Sequence, residues 1–242
     1  MRFSIIIPTF NVREKLEITL NSIISQKNTD YEVIIQDGGS SDGIKEVVNK
    51  FLNEMPQLQF FEEEDCGVYD AMNKGVKSAI GEYCIFMGAG DSLFDENVLN
   101  DLSYELDHHE ADIYYGYVMS IDGEKETPII RKINMMYKVK FTPVCHQSVC
   151  AKRTLLLDYP FEIRYKIAAD QDWLLKMLKY KKSFRFVNRA IANYPLDGLS
   201  SNNNELFEKE QREIHKRYYP FWQNVRHLWR VLTGKDNVQK KV

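Results

Sequence analysis

Apolar segments of strand length alternate with amphipathic helices over residues 2–94, and this alternation restricts the fold more than any other feature of the chain. The predicted strands are residues 2–7, 31–36, 58–62 and 82–87, and helices with apolar residues at helical spacing follow the first three. Asn11, a good capping residue, is the predicted start of the first helix. Alternating strands and helices form a mostly parallel sheet. The sequence therefore predicts an α/β half whose strand ends share one edge, where open α/β sheets bind ligands.

Small and acidic residues follow three of these strands. Pro8 and Thr9 follow the first, Asp37 with two glycines follows the second, and Asp91 ends a Gly-Ala-Gly-Asp run after the fourth. Asp37 could accept hydrogen bonds from a base or ribose, and Asp91 could hold a cation on a pyrophosphate. An Asp that follows a Gly, as Asp91 does, is also a common turn residue or helix cap. The sequence contains neither a P-loop nor a dinucleotide-binding glycine pattern. The set predicts a nucleotide site in which a metal or basic groups neutralise the phosphates.

The pattern changes after residue 95 and predicts a second half of mixed α+β structure. Its predicted elements are a helix ending near Asp107, a hairpin of residues 112–120 and 124–130, a helix over 170–180, and strands over 184–187 and 191–194. No segment has the composition of a linker. We therefore predict one domain over residues 1–203, with halves at 1–94 and 95–203 and a cleft between them, followed by a basic amphipathic helical tail over 204–242.

Composition bounds the class of protein. With 44% apolar residues the chain can build a core. The four cysteines lie far apart or in apolar runs, which is typical of reduced thiols. A zinc site at Cys145, His146 and Cys150 is a weaker alternative, because the sequence has no second close pair of zinc ligands. The N-terminal apolar run is short and broken by proline, and no stretch approaches the roughly 20 apolar residues of a transmembrane helix. We therefore expect a cytoplasmic protein.

Four segments resemble the inverting glycosyltransferases of family 2, which have the GT-A fold. They are residues 4–11 (SIIIPTFN), 36–43 (QDGGSSDG), 65–75 (DCGVYDAMNKG) and 79–83 (AIGEY) running on to Gly90-Asp91. The resemblance looks closest to bacterial enzymes that assemble colanic acid, capsule or O-antigen. It implies an α/β fold with a mostly parallel nucleotide-binding sheet flanked by helices, a mixed α+β acceptor half and a C-terminal helical tail.

The resemblance assigns most candidate residues of the first half to a UDP-sugar donor. Thr9 and Asp37 would contact the uracil end, and Asp91 is the last acid of the family's Asp-x-Asp element, which would hold Mg²⁺ or Mn²⁺. Ala89 replaces the first acid, so the metal would rest on one carboxylate and the diphosphate. Met72 stands where many relatives have an arginine, whose role Lys74 would partly assume. The predicted donor-binding residues are Pro8, Thr9, Phe10, Asp37, Gly67, Asp70, Asn73, Lys74 and Asp91.

The same resemblance places the catalytic base in the second half, at Asp170. On the residues alone, an Asp at a helix start is more often a cap, and a histidine in an apolar strand, such as His146, is as readily a core residue. The resemblance favours the base for Asp170, with Asp172 as its competitor, and implies a single displacement with inversion. The residues predicted near the diphosphate or acceptor are His146, Gln147, Asp172 and Trp173.

Positive charge is concentrated at the C-terminal end. From Ile214 onwards the chain has seven Lys or Arg and one acid, so this segment carries +6 and residues 1–213 carry −9. Apolar residues recur at helical spacing from Phe221 to Leu232, which predicts a basic amphipathic helix that either packs on the domain or binds an anionic membrane. No recognisable nucleic-acid-binding module accompanies the charges, so nucleic acid is not an expected partner.

These features predict an inverting glycosyltransferase that moves a hexose from a UDP-sugar to a hydroxyl of a growing, lipid-diphosphate-linked surface polysaccharide. Its expected partners are the donor, a glycan or lipid-linked glycan acceptor and, through residues 214–242, the inner face of the cytoplasmic membrane. One alternative is an inactive nucleotide-sugar-binding protein, because Ala89 removes a metal ligand. The other is a nucleotidyltransferase, which the lack of a Gly-rich basic triphosphate loop disfavours. The sequence predicts no oligomeric state.

Overall fold

The computed structural model describes residues 1–131, 144–195 and 204–218. The strands in these ranges are β1 (Phe3–Thr9), β2 (Tyr31–Asp37), β3 (Leu58–Glu62), β4 (Tyr83–Phe86), β5 (Ser92–Leu93), β6 (Ile113–Asp122), β7 (Lys125–Ile129), β8 (Val149–Lys152) and β9 (Phe184–Pro195). The helices are α1 (Arg13–Ile24), α2 (Ile44–Leu52), α3 (Val68–Ser78), α4 (Val98–His108), α5 (Arg153–Asp158), α6 (Ala169–Lys179) and α7 (Asn204–Tyr218), with a 3₁₀ turn at His146–Ser148. The first half thus keeps the predicted alternation of strand and helix.

The strands form one sheet in the order β3-β2-β1-β4-β8-β6-β9-β5, with β7 paired to β6. The neighbours β3, β2, β1 and β4 are all parallel, which confirms the predicted α/β half. In the second half β8 is antiparallel to β4 and β6, β9 is parallel to β6, and β6 and β7 form the predicted hairpin. The register of β1 and β2 places Thr9 beside Asp37 at the carboxyl edge of the sheet.

One predicted pair of strands is wrong, because residues 184–187 and 191–194 belong to the single strand β9. β9 pairs with β6 through register shifts between Tyr115 and Val118. Gly116 lies at this irregularity, where a Cβ would come within 2.5 Å of the Arg189 carbonyl oxygen. The bulge accommodates the polar residues that interrupt the apolar pattern of β9. The sequence indicates two strands because of this interruption.

Helices cover both faces of the sheet and enclose two apolar cores. β1 and β2 are buried along their full length, as expected of parallel strands covered on both faces. One core lies under α1, α2 and α4 and includes Leu16, Phe51 and Leu102. The other lies under α3, α5 and α6 and includes Met72 and Trp173. Each large apolar side chain buried in this way contributes roughly 1.5–3 kcal/mol to folding.

Helix α1 begins differently from the prediction. Asn11 has a left-handed conformation (φ 51°), and its Oδ1 accepts a hydrogen bond from the Ser41 backbone N–H (2.9 Å). The helix starts at Arg13, whose backbone N–H donates to Asp42 Oδ2 (2.8 Å). The predicted cap is therefore wrong, because a carboxylate from the β2–α2 loop satisfies the helix start. Asn11 instead holds that loop against the end of β1.

Helix α7 is the last described element and packs against α6, with Ile214 fully buried in the second core. The predicted amphipathic helix from Phe221 to Leu232 lies outside the described residues. None of the described helices combines the length and the apolar character that crossing a membrane requires. The division into a domain over residues 1–203 and a tail over 204–242 stays a prediction.

A buried carboxylate connects four segments of the first half. Glu32 in β2 is 1% exposed. Its Oε1 accepts hydrogen bonds from Ser4 Oγ (2.5 Å), Ile80 N (2.7 Å) and Gly81 N (3.1 Å), and its Oε2 accepts one from Gln59 Nε2 (2.9 Å). Glu32 therefore ties β1, β2, β3 and the α3–β4 loop together.

We expect Glu32→Leu to lower the free energy of unfolding by about 3 kcal/mol, because it leaves several buried donors without an acceptor. Urea denaturation followed by tryptophan fluorescence measures the change. Glu54→Leu replaces an exposed carboxylate beyond α2 and should change the free energy of unfolding by less than about 0.5 kcal/mol. Equal, small effects of the two substitutions would contradict the structural role of Glu32.

Candidate active site

Asp91 lies in a tightly held turn after β4. Its Oδ2 accepts a hydrogen bond from the Gly88 N–H (2.9 Å), and its carbonyl oxygen accepts one from Thr19 Oγ1 (2.7 Å). The Gly90 N–H in turn donates to Thr19 Oγ1 (2.9 Å). Both positions favour glycine, since Gly90 has a φ of 100° and a Cβ on Gly88 would approach Asp91 Oδ2 to 2.8 Å, so that this side chain would have to shift. The turn holds the Asp91 side chain, 7% exposed, at the end of the parallel sheet.

A short turn from the second half brings Asp91 and Asp170 to one site. In the 3₁₀ turn after residue 145, Gln147 Nε2 donates to Asp91 Oδ2 (3.0 Å), and His146 Nδ1 lies 3.1 Å from Asp170 Oδ2. Consecutive residues therefore contact the two acids. The prediction of a strand at His146 is wrong, because β8 begins only at Val149.

Asp170, near the start of α6, is held on three sides. Its Oδ1 accepts a hydrogen bond from the Gln171 N–H (2.8 Å), and the Tyr69 hydroxyl lies 3.1 Å from the same oxygen. His146 contacts the other oxygen. Burial, followed by the charge of Asp170, raises the pKa of Tyr69 well above its ordinary value, so Tyr69 stays a protonated donor. The Asp170 side chain keeps 16% of its surface exposed.

The pKa of His146 favours its charged form. Burial on its own lowers this pKa, but the hydrogen bond to Asp170 and the charges of Asp170 and Asp91 together raise it above the ordinary value. A small cavity of about 10 Å³ lies behind the pair and is lined largely by apolar side chains, Phe86 and Phe161 among them. Low local polarity strengthens the attraction between the imidazole and the carboxylate. His146 is therefore held beside Asp170 as a charged hydrogen-bond donor.

Asp172 and Trp173 are occupied elsewhere. Asp172 is 1% exposed and contacts Arg217 Nη1 of α7 (3.2 Å). Burial raises the pKa of Asp172, although Arg217 and Lys176 oppose the shift. The Trp173 indole is buried and its Nε1 donates to the Tyr159 carbonyl (2.6 Å). Asp172 therefore fits a structural ion pair better than the base, whereas Trp173 lines the cavity behind Asp170.

The carboxyl ends of β1 and β2 carry the residues predicted for the base of the nucleotide. Asp37 is fully buried, and its oxygens accept hydrogen bonds from Thr9 Oγ1 (2.8 Å), Ser40 Oγ (2.6 Å) and the N–H groups of Gly39 (3.0 Å) and Ser40 (2.7 Å). Asp37 thus shapes the β2–α2 loop. Phe10, next to Thr9, is 61% exposed and offers an aromatic face at the same edge, whereas Pro8 is buried in β1. Contacts of these residues with a nucleotide stay a prediction.

The predicted donor-binding residues around α3 also make internal contacts. Gly67 has a φ of 121°, which favours glycine. Asp70 Oδ2 accepts a hydrogen bond from the Cys66 N–H (3.0 Å). The Asn73 amide exchanges two hydrogen bonds with the Phe161 backbone, both 2.9 Å. Lys74 Nζ contacts Glu63 Oε1 (2.9 Å) and the Glu64 carbonyl (2.5 Å), so acidic neighbours already balance its charge. A role of these residues toward the donor stays a prediction.

The residues of the described ranges supply little of a metal site by themselves. They contain no group of three or more His, Cys, Asp or Glu placed to hold a metal ion. Asp91 has Ala89 where a second carboxylate would stand. One carboxylate fits a divalent cation whose other ligands are substrate phosphates and water, which is the usual arrangement for Mg²⁺. The donor set therefore fits a cation whose remaining ligands come from a bound molecule and water.

Comparison with known proteins gives the chain its relatives. The family model described as Glycosyl transferase family 2 matches residues 4–156. A PGL/p-HBAD biosynthesis glycosyltransferase of Mycobacterium tuberculosis (strain ATCC 25177 / H37Ra) is 33% identical over 221 residues, which cover 86% of this chain and 81% of the relative.

Two solved structures share the fold. Staphylococcus aureus TarS 1-349 in complex with UDP-GlcNAc superposes with a TM-score of 0.68 at 22% identity, over 81% of this chain and 58% of that one. The mannosyltransferase PcManGT from Pyrobaculum calidifontis, in complex with GDP-Man and Mn²⁺, gives 0.65 at 20% identity, over 87% of this chain and 64% of that one. The chain spans less than two thirds of either structure, and the similarity confirms the GT-A fold.

Proposed function

Because the chain belongs to glycosyl transferase family 2, and is therefore a glycosyltransferase, we propose that it moves a hexose from a UDP-sugar to a hydroxyl group of a surface glycan. The observation that carries this proposal is the link between two acids from different halves. Asp91 contacts Gln147 (3.0 Å), and His146, the preceding residue, contacts Asp170 (3.1 Å). A donor diphosphate at Asp91 would thus lie close to a base at Asp170.

The proposed reaction is a single displacement. Asp170 accepts the proton of the acceptor hydroxyl as that oxygen attacks the anomeric carbon, and the bond from this carbon to the diphosphate oxygen breaks. Attack opposite the leaving group inverts the configuration, so an α-linked donor gives a β-linkage. His146 and Tyr69 hold the Asp170 carboxylate in place. Asp91 would hold Mg²⁺ or Mn²⁺, which supplies positive charge for the departing diphosphate.

The donor nucleotide depends on the loops rather than on the fold. The two solved neighbours hold UDP-GlcNAc and GDP-Man in similar folds. We propose UDP because Thr9 and Asp37 stand in two segments, residues 4–11 and 36–43, whose resemblance to the family implies contact with uracil. Phe10, next to Thr9, belongs to the same proposed donor site. Pro8, Gly67, Asp70, Asn73 and Lys74 complete the proposed donor site as structural supports, given their internal contacts.

The proposed acceptor is a glycan carried on a lipid diphosphate, presented at the inner face of the cytoplasmic membrane. Arg217 pairs with Asp172 within the fold, but the sequence from residue 219 onwards still carries +4, from five Lys or Arg and one Asp. This charge supports the proposal, since cations near an anionic membrane add roughly 1 kcal/mol each. The mycobacterial relative is named for PGL/p-HBAD biosynthesis. Membership of the family favours sugar transfer over the nucleotidyltransferase alternative. The other alternative, an inactive nucleotide-sugar-binding protein, is tested by measuring activity.

A panel of UDP-, GDP- and TDP-sugars tests the proposal. Each is incubated with the full chain and Mn²⁺, and release of the nucleoside diphosphate is followed together with thermal stabilisation. We expect UDP-sugars to give both signals. Preference for a GDP- or TDP-sugar would change the donor and leave sugar transfer standing. Stabilisation by a sugar nucleotide without hydrolysis or transfer to any lipid-linked acceptor would favour the inactive binding protein.

The kcat for transfer is expected to rise with pH, with its midpoint above 6.5, the ordinary pKa of histidine. Charged His146 donates a charge-assisted hydrogen bond to Asp170 Oδ2, so this oxygen is less available to the acceptor hydroxyl. As the pH rises through the raised pKa of His146, that charge is lost and Asp170 accepts the acceptor proton more readily. The kcat of the wild type, measured from about pH 5 to pH 9, gives the midpoint.

His146→Gln is the matched variant, because its amide can still donate to Asp170 but does not titrate. Its kcat should be nearly constant between about pH 6 and pH 8. An unchanged midpoint in this variant would assign the rise to another group.

The raised pKa of His146 also means that its ion pair with Asp170 stabilises the fold below pH 6.5. This contribution is lost as the pH rises through the pKa of His146 in the folded state.

A further inference from the structure

We propose that Glu210 of α7 is a positioning residue that aims the base, an inference that rests on the proposed function of Asp170. Glu210 is 5% exposed. Its Oε1 accepts a hydrogen bond from the Lys166 N–H (2.7 Å), and its Oε2 accepts one each from the N–H groups of Ile167 and Ala168 (both 3.0 Å). These three residues lead directly into α6, in which Asp170 is the second residue.

Helix α6 starts without a side-chain cap of its own. Ala168 occupies the cap position, and its methyl group cannot accept a hydrogen bond. Helix starts leave backbone N–H groups unsatisfied and favour negative charge nearby. Glu210, 42 residues further along the chain than Ala168, brings a buried carboxylate to the backbone just before the helix. A distant acid thus fixes the segment that enters the helix, although it is not a cap of the helical N–H groups themselves.

The peptide group between Ile167 and Ala168 is held from both sides. Its carbonyl oxygen lies 2.7 Å from the Tyr69 hydroxyl of α3, and its N–H donates to Glu210 of α7. The same hydroxyl lies 3.1 Å from Asp170 Oδ1. A rotation of this peptide group would shift Asp170 relative to Tyr69. Glu210 therefore controls the direction in which the carboxylate points.

Other contacts between α6 and α7 hold the bodies of the helices. Gln171 contacts Gln211 (3.1 Å) and His215 (3.3 Å), and Asp172 contacts Arg217 (3.2 Å). None of these contacts involves Glu210, so we expect them to remain when Glu210 is replaced. Loss of the Glu210 carboxylate should therefore change the orientation of the chain before α6 while the two helices stay packed.

Glu210→Gln tests the proposal in the full chain, because it keeps the shape and replaces one acceptor oxygen by a donating amide. We expect kcat to fall about tenfold, while the Kd for UDP stays within about twofold, because only the orientation of the base is disturbed. Glu208→Gln is the matched control, the same change at an exposed position of the same helix, and should leave both values unchanged. If Glu210→Gln does not fold, Glu210→Asp keeps the charge on a shorter side chain and should lose kcat by a smaller factor.

Glu210→Gln combined with Asp170→Asn distinguishes an effect on the orientation of the Asp170 carboxylate from an effect on the stability of the fold. A positioning role predicts no further loss of kcat there, because the base that Glu210 aims is already absent. If Glu210 has only a structural role, Glu210→Gln should lower kcat by the same factor in the wild type and in Asp170→Asn. Alternatively, it should lower the number of UDP-binding sites and leave the kcat per site unchanged. Either result would overturn the inference. Wild type that transfers no sugar would refute the proposed function itself. Active wild type with fully active Glu210→Gln would refute only the role of Glu210.

Discussion

Asp170→Asn is expected to lower the kcat for sugar transfer by about 10²- to 10⁴-fold and to leave UDP binding unchanged. The amide has the shape of the carboxylate but cannot accept the proton of the acceptor hydroxyl. Its oxygen can still accept from Tyr69 or His146, so the site should keep its geometry. Release of UDP in the presence of acceptor measures kcat, and calorimetric titration with UDP measures the binding.

The same substitution at Asp172 distinguishes the two candidate bases. Asp172→Asn removes a buried charge that faces Arg217, so we expect lower stability with a kcat within a few-fold of wild type. The opposite pattern, with full activity in Asp170→Asn and none in folded Asp172→Asn, would move the base to Asp172. Full activity in both variants would place the base outside α6.

The first half of the fold could be predicted from the sequence because its central strands β1, β2 and β4 are mostly apolar. β1 and β2 are buried on both faces, and such runs leave little choice of structure. The second half offers weaker signals. β8 has only four residues and β5 only two, and both are defined by their partners β4 and β9 rather than by a pattern of their own. Short elements of this kind depend on tertiary context.

The candidate site divides in the same way. The position of Asp91 follows from the rule that strand ends share one edge of a parallel sheet. Thr19 could not be found in this way, because a threonine in an amphipathic helix carries no signal that its hydroxyl holds a loop 72 residues away. The same is true of Glu210, which reads as one of several acids on a charged helix. Contacts between distant side chains depend on packing, which periodicity does not encode.

Asp91 has structural contacts in addition to its proposed role toward a cation. Asp91 Oδ2 accepts from Gly88 N–H and from Gln147 Nε2, so the carboxylate helps to build the turn in which it stands. Ala89, which is partly exposed in the same turn, has only a methyl side chain. A second carboxylate at position 89 would add a ligand without replacing a structural contact.

Asp91→Asn should lower kcat by about 10²-fold, which corresponds to about 3 kcal/mol of transition-state stabilisation, because the site loses its carboxylate for the cation on the diphosphate. The Mn²⁺ concentration that gives half-maximal activity should rise. Titration of Mn²⁺ against transfer rate in metal-depleted buffer measures both values. Unchanged kcat and unchanged metal response in Asp91→Asn would show that Asp91 does not serve the cation.

Ala89→Asp makes the opposite change and should lower the Mn²⁺ concentration for half-maximal activity about tenfold, because a second carboxylate adds ligand charge. Ala89→Asn is the matched control, of equal size without the charge, and should leave the metal response near that of wild type. A gain in both variants would attribute the effect to the geometry of the turn rather than to charge. A gain in Ala89→Asp that disappears when Asp91→Asn is added would show that the two carboxylates hold one ion together, and the single acid of the natural chain would then be the reason for its weaker hold on the metal.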